Sequence, residues 1–105
     1  MSNHQPSGAE YFVIIADQKK KNKYLELLGR YGVKGIQVIY GHGSASPSVL
    51  KAAFGLEVEQ HKVIITCLLK KENAAKLIDV LYKEYHFNKP NTGIAFGIAV
   101  EGLAF

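Results

Sequence analysis

A glycine-rich stretch directly after a predicted strand is the segment best suited to binding a ligand. It reads Gly41-His42-Gly43-Ser44-Ala45. Glycines at such a place let the backbone approach a ligand closely and present N–H groups to an anion. No Gly-Lys-Ser/Thr follows, so this is not a Walker loop, and no third glycine and helix follow as in a dinucleotide fingerprint. A plain turn stays open as the alternative.

A second candidate loop stands just before the last predicted strand. It reads Asn88-Lys89-Pro90-Asn91-Thr92-Gly93 and combines a cation, turn residues and a flexible glycine. Its candidate ligand contacts are Lys89, Asn91, Thr92 and Gly93. A connecting turn is the alternative for this loop taken alone.

Residues that could catalyse a reaction do not form a recognisable arrangement. The four histidines are not paired at the spacing that a metal site needs, and His42 alone stands in a loop that a ligand could reach. Glu57 and Glu59 could form a general-base pair, but paired surface carboxylates usually solvate a loop. We therefore predict no catalytic residues, no metal site and no enzymatic activity.

Hydrophobic periodicity predicts the elements that position these loops. Apolar and β-branched runs predict four strands, and helical spacing predicts two helices. The strands are at 11–16, 36–40, 61–69 and 93–100, and the helices are at 20–31 and 71–85. The order strand, helix, strand, strand, helix, strand predicts an α+β ferredoxin-like fold with a four-stranded antiparallel sheet. Residues 1–9 are polar and predict a disordered tail, so the domain is predicted to span 10–105.

Composition indicates one globular domain. The chain has 105 residues, is 48% hydrophobic and carries a net charge of +4, which suits an anionic partner. Cys67 is the lone cysteine and cannot form an internal disulfide. No apolar run approaches the roughly 20 residues that span a bilayer. These features predict a soluble cytoplasmic protein.

The predicted strands are apolar on both faces of the sheet. The run 94–100 has no charged or hydrogen-bonding side chain, and 63–69 has only Thr66. Because both helices of such a fold cover one face, the other face needs a second cover. Symmetric association is the simplest cover. The alternative is that the long segment 41–60 or the C-terminus covers that face within one chain.

Three stretches resemble the PII family of signalling proteins in their order and spacing. The first, 33–43, resembles the family's second strand and the G-x-G that opens its long T-loop. The second, 61–65, resembles the third strand, and the third, 92–101, resembles the final strand and its flanks. The resemblance covers 10–105.

The resemblance implies a homotrimer that binds ATP, ADP or AMP, or another small anion, as a regulatory ligand between subunits and takes part in nitrogen regulation. It implies that Lys62 joins the ligand site and that the T-loop engages a protein partner, such as a membrane transporter or metabolic enzyme. The chain departs from the family at Ser44, Ala45 and Ile94, where the family has a basic residue, a glutamine and a phosphate-contacting lysine.

The segment 41–60 predicts a restructured T-loop. It contains no tyrosine, which excludes tyrosine uridylylation there, and Ser46-Pro47 predicts the start of a short capped helix. Its candidate partner-binding residues are Pro47, Leu50, Phe54 and Leu56. Packing of these apolar side chains against their own sheet is the alternative.

Two other classes of protein have this order of strands and helices. An RNA-binding module would need exposed aromatic residues in a K/R-G-F/Y pattern, which 61–69 lacks, so we predict no nucleic-acid partner. An acylphosphatase-like hydrolase would need an arginine after the first strand, where Asp17, Gln18 and Lys19 stand instead.

Overall fold

The computed structural model describes residues 4–6, 8–40, 61–90 and 92–104 of the chain. The strands are β1 (His4–Pro6), β2 (Ala9–Asp17), β3 (Lys34–Tyr40), β4 (Lys62–Lys70), β5 (Gly93–Ala99) and β6 (Gly102–Ala104). The helices are α1 (Lys21–Gly29), preceded by a 3-10 turn (Gln18–Lys20), and α2 (Lys71–Glu84). In this described part, no helix is both long and apolar enough to cross a membrane.

The main sheet has the strand order β3-β4-β2-β5, and each neighbouring pair is antiparallel. With the two helices this is the predicted α+β ferredoxin-like fold. The predicted boundaries agree with the observed ones to within two residues. The first helix begins at Lys21 rather than residue 20, because Gln18–Lys20 adopt the tighter 3-10 form.

The main core lies between the sheet and the two helices. Alternate residues of the central strands point to this side, as the two-residue period of a strand requires. Both helices contribute the apolar stripe that their periodicity predicts. The largest side chains of this core are Phe12, Ile14, Tyr24, Leu27, Leu28, Ile65, Leu69, Leu77 and Leu81.

The opposite face of the sheet is apolar as well. Val13, Ile15 and Ile64 form a second buried cluster there, with Ile39 and Phe96 packed against it. Around this cluster, exposed apolar side chains continue the same face: Tyr11 is 38%, Leu68 40% and Ile98 37% exposed. Tyr11 pairs with both Leu68 and Ile98 across the ladder, so the three form one row.

The two ends of the described chain form a separate two-stranded sheet. His4 pairs with Ala104 and Pro6 with Gly102. Sequence patterning predicts no strand in either segment, and it predicts disorder over 1–9. The backbone of His4–Pro6 pairs with the distant Gly102–Ala104, and such pairing leaves no hydrophobic period to detect in the sequence. The tail over 1–9 stays a prediction. The predicted domain boundary at residue 10 stays a prediction, and β2 begins at Ala9.

Candidate functional site

Lys62 and Gly93, two predicted ligand contacts, lie at the same end of the main sheet. Lys62 pairs with Asp17 and Gly93 with Ala16, the last two residues of β2. With neighbouring strands about 4.8 Å apart, the two backbones are separated by roughly 10 Å. Tyr40 ends β3 at this end also. Both flanks of the segment 41–60 and the start of β5 therefore lie at one end of the sheet, with β2 between β4 and β5.

Many of the predicted site residues lie outside the described residues. They are the ligand candidates Gly41, His42, Gly43, Ser44, Ala45 and Asn91, and the partner candidates Pro47, Leu50, Phe54 and Leu56. The short helix predicted within 41–60 lies outside as well. The roles of these residues stay predictions.

The loop before β5 starts from a well-formed end of α2. The N–H of Phe87 donates to the carbonyl of Leu81 over 3.0 Å and so ties the loop to the last turn of α2. His86, just past the helix end, has a left-handed φ of 62°, a conformation common at that position. The N–H of Lys89 then donates to the His86 carbonyl over 2.9 Å and closes the next turn.

Phe87 anchors this loop to the core. Its ring meets Tyr24 edge-on, with 5.7 Å between ring centroids, and it also lies against Gly93. This aromatic residue lies between the predicted helix 71–85 and the candidate loop that begins at Asn88, and the sequence patterns assign it no role. An isolated phenylalanine between polar turn residues is nonetheless a signal, because an exposed aromatic ring there would be costly.

The anchored loop carries the remaining predicted contacts. Lys89 is exposed and Thr92 is half-buried next to the start of β5. The loop therefore presents an ammonium group to solvent on the way to the sheet end that holds Lys62. The ligand contacts of Lys62 and Lys89 stay predictions.

Asp17 places a carboxylate at this sheet end, opposite Lys62. Its Oδ1 accepts a hydrogen bond of 2.9 Å from the N–H of Lys19. That bond, and then the charges of Lys19, Lys62 and Lys20, hold the pKa of Asp17 below its ordinary 3.8. One carboxylate among three lysines leaves the sheet end positive, which favours an anion.

Gln18 adds a polar atom that sequence reasoning missed. Its backbone N–H donates to the carbonyl of His61 over 2.8 Å, and His61 has a φ of 70°. The Gln18 side-chain Oε1 is buried and has no hydrogen-bond partner. A buried acceptor without a donor is costly, so a ligand N–H or O–H would be stabilised beside it.

An apolar groove of about 270 Å³ lies next to the loop, between α2 and β5. Its walls include Ile78, Tyr82, Phe87 and Ile94. Among the described residues, no three His, Cys, Asp or Glu side chains come together in a way that could hold a metal ion.

No protein-family model and no curated protein matches this chain. Solved structures do match it in fold. The apo form of CPII from Thiomonas intermedia K12, a nitrogen regulatory PII-like protein, superposes with a TM-score of 0.68 at 15% identity, covering 100% of this chain and 99% of that chain. A putative PII-like signalling protein from Thermus thermophilus gives a TM-score of 0.64 at 17% identity, covering 98% of this chain and 91% of that chain.

The same Thiomonas protein bound to ADP, AMP and bicarbonate gives a TM-score of 0.64 at 16% identity, covering 98% of each chain. This chain therefore has the fold of the PII-like signalling proteins, over essentially its whole length. The fold that the resemblance implied is confirmed.

Proposed function

We propose that this protein is a PII-like signal transduction protein. It binds a small anionic ligand between subunits and regulates a partner protein through residues 41–60, without catalysing a reaction. The observation that carries the proposal is the meeting at one sheet end of Lys62, Gly93 and both flanks of that segment. A ligand held there touches the base of the segment that signals.

We propose an adenine nucleotide as the ligand, with bicarbonate as a second candidate. The structural neighbour from Thiomonas intermedia K12 is described as bound to ADP, AMP and bicarbonate. Here Lys62 and Lys89 would contact the phosphates, since charge-assisted hydrogen bonds are among the strongest in proteins. The apolar Ile94, 46% exposed at the start of β5, replaces the lysine expected there from the resemblance. This predicts weaker phosphate binding.

We propose a homotrimer, formed through the open face of the sheet. That face carries the exposed row of Tyr11, Leu68 and Ile98 beside the buried cluster of Val13, Ile15 and Ile64. Thr66 is 4% exposed in the middle of the same face, and its hydroxyl has no hydrogen-bond partner. A second subunit would bury the exposed row of Tyr11, Leu68 and Ile98 and remove it from water.

The partner would be a membrane transporter or a metabolic enzyme in the cytoplasm, where the lone Cys67 stays reduced. To signal, the ligand must bind one state of 41–60 more tightly than another. The RNA-binding and hydrolase alternatives are not favoured. On the open face, β4 presents Ile64, Thr66 and Leu68, and none of these can stack on a base.

The test combines oligomeric mass and calorimetric titration. Light scattering on the purified protein should give three times the 11.6 kDa of one chain. Titration with ADP, AMP and ATP, each with and without bicarbonate, should show saturable binding at micromolar strength. A monomer would contradict the trimer, and a trimer that binds none of these would contradict the choice of ligand.

Two charge-neutralising variants locate the binding site. Lys62→Gln should weaken binding about tenfold or more, as the loss of one charge-assisted contact of roughly 1.5–3 kcal/mol predicts. Lys83→Gln is the matched control, since Lys83 is on α2, 3.3 Å from Asp79. Equal affinities in the two variants would place the ligand elsewhere.

A further inference from the structure

The positive charge of this protein is concentrated in one segment. Residues 17–34 contain two carboxylates, Asp17 and Glu26, and six cations, so the segment alone carries the whole net charge of +4. The six cations are Lys19, Lys20, Lys21, Lys23, Arg30 and Lys34. Four of them form what we call the basic start of α1: Lys19, Lys20, Lys21 and Lys23.

The second helix provides an internal comparison. α2 contains three lysines and three carboxylates, and Lys83 lies 3.3 Å from Asp79, one helical turn away. Its charges therefore neutralise one another along the helix surface. In the described part of the chain, no comparable ion pair holds Lys19, Lys20 or Lys23, and all three are exposed.

The basic start of α1 also opposes the dipole of its own helix. The N-terminus of a helix carries partial positive charge, so cations there are unfavourable and anions are favourable. The first turns of both the 3-10 turn and α1 lack acidic residues. Asp17 provides a single cap, through the N–H of Lys19. The dipole of α1 therefore disfavours four lysines at this place, whereas an anion bound outside the helix would relieve the repulsion.

Two of the four lysines are held in position by tyrosine rings. Lys21 Nζ lies 5.4 Å from the ring centroid of Tyr40 and donates to its hydroxyl over 2.8 Å. Lys23 Nζ lies 4.8 Å from the ring centroid of Tyr85. These contacts restrict the long side chains before any partner arrives, which lowers the entropy lost on binding.

We propose that the basic start of α1 is a docking surface for an acidic segment of a partner protein. Lys19, Lys20 and Lys23 form the ion pairs, and Lys21 adds a fixed charge beside them. Lys62 lies beside this surface, since it pairs with Asp17 across the strands. The surface recognises the acidic segment by complementary charge. Such complementarity raises the rate of association and the selectivity for acidic partners.

Two other anionic partners fit the surface less well. A nucleic acid that binds without base pairing needs free aromatic faces for its bases, but lysines lie over the rings of Tyr40 and Tyr85. An anionic membrane surface needs apolar anchors. The large apolar side chains Tyr24, Leu27 and Leu28 of α1 are buried in the core instead.

The test measures binding of a labelled poly-glutamate peptide by fluorescence anisotropy, at about 0.1 M ionic strength where charges still act over about 10 Å. The variant K19E/K20E/K23E should bind at least about tenfold more weakly than the wild type. The control K70E/K71E/K76E makes the same charge change at the start of α2, where all three side chains are also exposed. It should bind like the wild type.

Circular dichroism and thermal melting accompany the binding assay. The triple variant should remain folded and melt no lower than the wild type, because glutamates suit a helix N-terminus. If it does not fold, the neutral variants Lys20→Gln and Lys23→Gln replace it in the same assay. An absence of peptide binding, an equal loss in the control, or tighter binding to single-stranded DNA or phosphatidylserine vesicles would overturn the proposal.

Discussion

The ring of Phe87 occupies the space beside the Gly93 backbone, so that a Cβ atom built on the glycine would lie 2.6 Å from the ring's Cζ. Phe87 has little freedom to move away, because its ring also packs against Tyr24 and its N–H is bonded to Leu81. This contact joins the end of α2 to the start of β5. It thereby sets the course of the loop that carries Lys89 and Thr92.

Gly93→Ala should destabilise the fold by about 1–3 kcal/mol, the usual cost of overpacking. Urea denaturation measures this change. Gly97→Ala is the control on the same strand, because the added Cβ there meets only the end of the flexible Glu10 side chain. Adding Phe87→Leu to the Gly93 variant should restore part of the lost stability. Equal losses in the two alanine variants would show that the clash with Phe87 is not the cause.

His86→Gly should stabilise the protein by about 0.5–1 kcal/mol. His86 has a φ of 62°, where a side chain is disfavoured and glycine is not. Thermal melting and urea denaturation measure the gain. His86→Ala keeps a Cβ at this position and should show no gain. If both variants were stabilised equally, the imidazole rather than the backbone conformation would be responsible.

Cys67 should resist thiol reagents in the folded protein. Burial raises the pKa of this thiol to about 11 from its ordinary 9.0, so little reactive thiolate exists near pH 8. The unfolded chain ionises first as pH rises past 9, so the folded state loses stability between that pH and about 11. Ellman's reagent should react slowly with native protein and quickly in urea. Fast reaction of the native protein would contradict the burial of Cys67.

Asp17 should contribute stability that depends on its charge. Its pKa is lowered by the Lys19 N–H and by nearby lysines, so the contribution is present above pH 3.8 and is lost as pH falls through the lower folded value. Asp17→Asn keeps an acceptor oxygen and removes the charge. The variant should be less stable at pH 7, and the difference should vanish in acid. A difference independent of pH would assign the effect to the hydrogen bond alone.

Ile94→Lys should strengthen nucleotide binding. Ile94 is 46% exposed at the sheet end that holds Lys62, and a lysine there restores one phosphate contact. A charge-assisted bond of roughly 1.5–3 kcal/mol corresponds to at least a tenfold gain in affinity. Calorimetry with ADP measures the gain, and the uncharged Ile94→Gln serves as the control. No gain with lysine would place the phosphates away from the start of β5.

The periodic elements were predictable from the sequence because their residues repeat every two or 3.6 positions. The strand 93–100 is observed as Gly93–Ala99 and the helix 71–85 as Lys71–Glu84. The same patterns predicted that both faces of the sheet are apolar. Lys62 was named from a resemblance and Gly93 from the loop before the last strand, and nothing local to either residue indicates that they share one sheet end.

Local sequence determined where the chain turns and which strands are apolar, and it named candidate residues for binding an anion. Tertiary structure alone decided which separate segments come into contact. Examples are His4–Pro6 against Gly102–Ala104, Phe87 against Gly93, and Asp17 among lysines from two elements. The physical reason is that periodicity records only which face of an element is buried. Contacts between residues far apart in sequence follow from strand register and packing, which leave no repeating pattern in the chain.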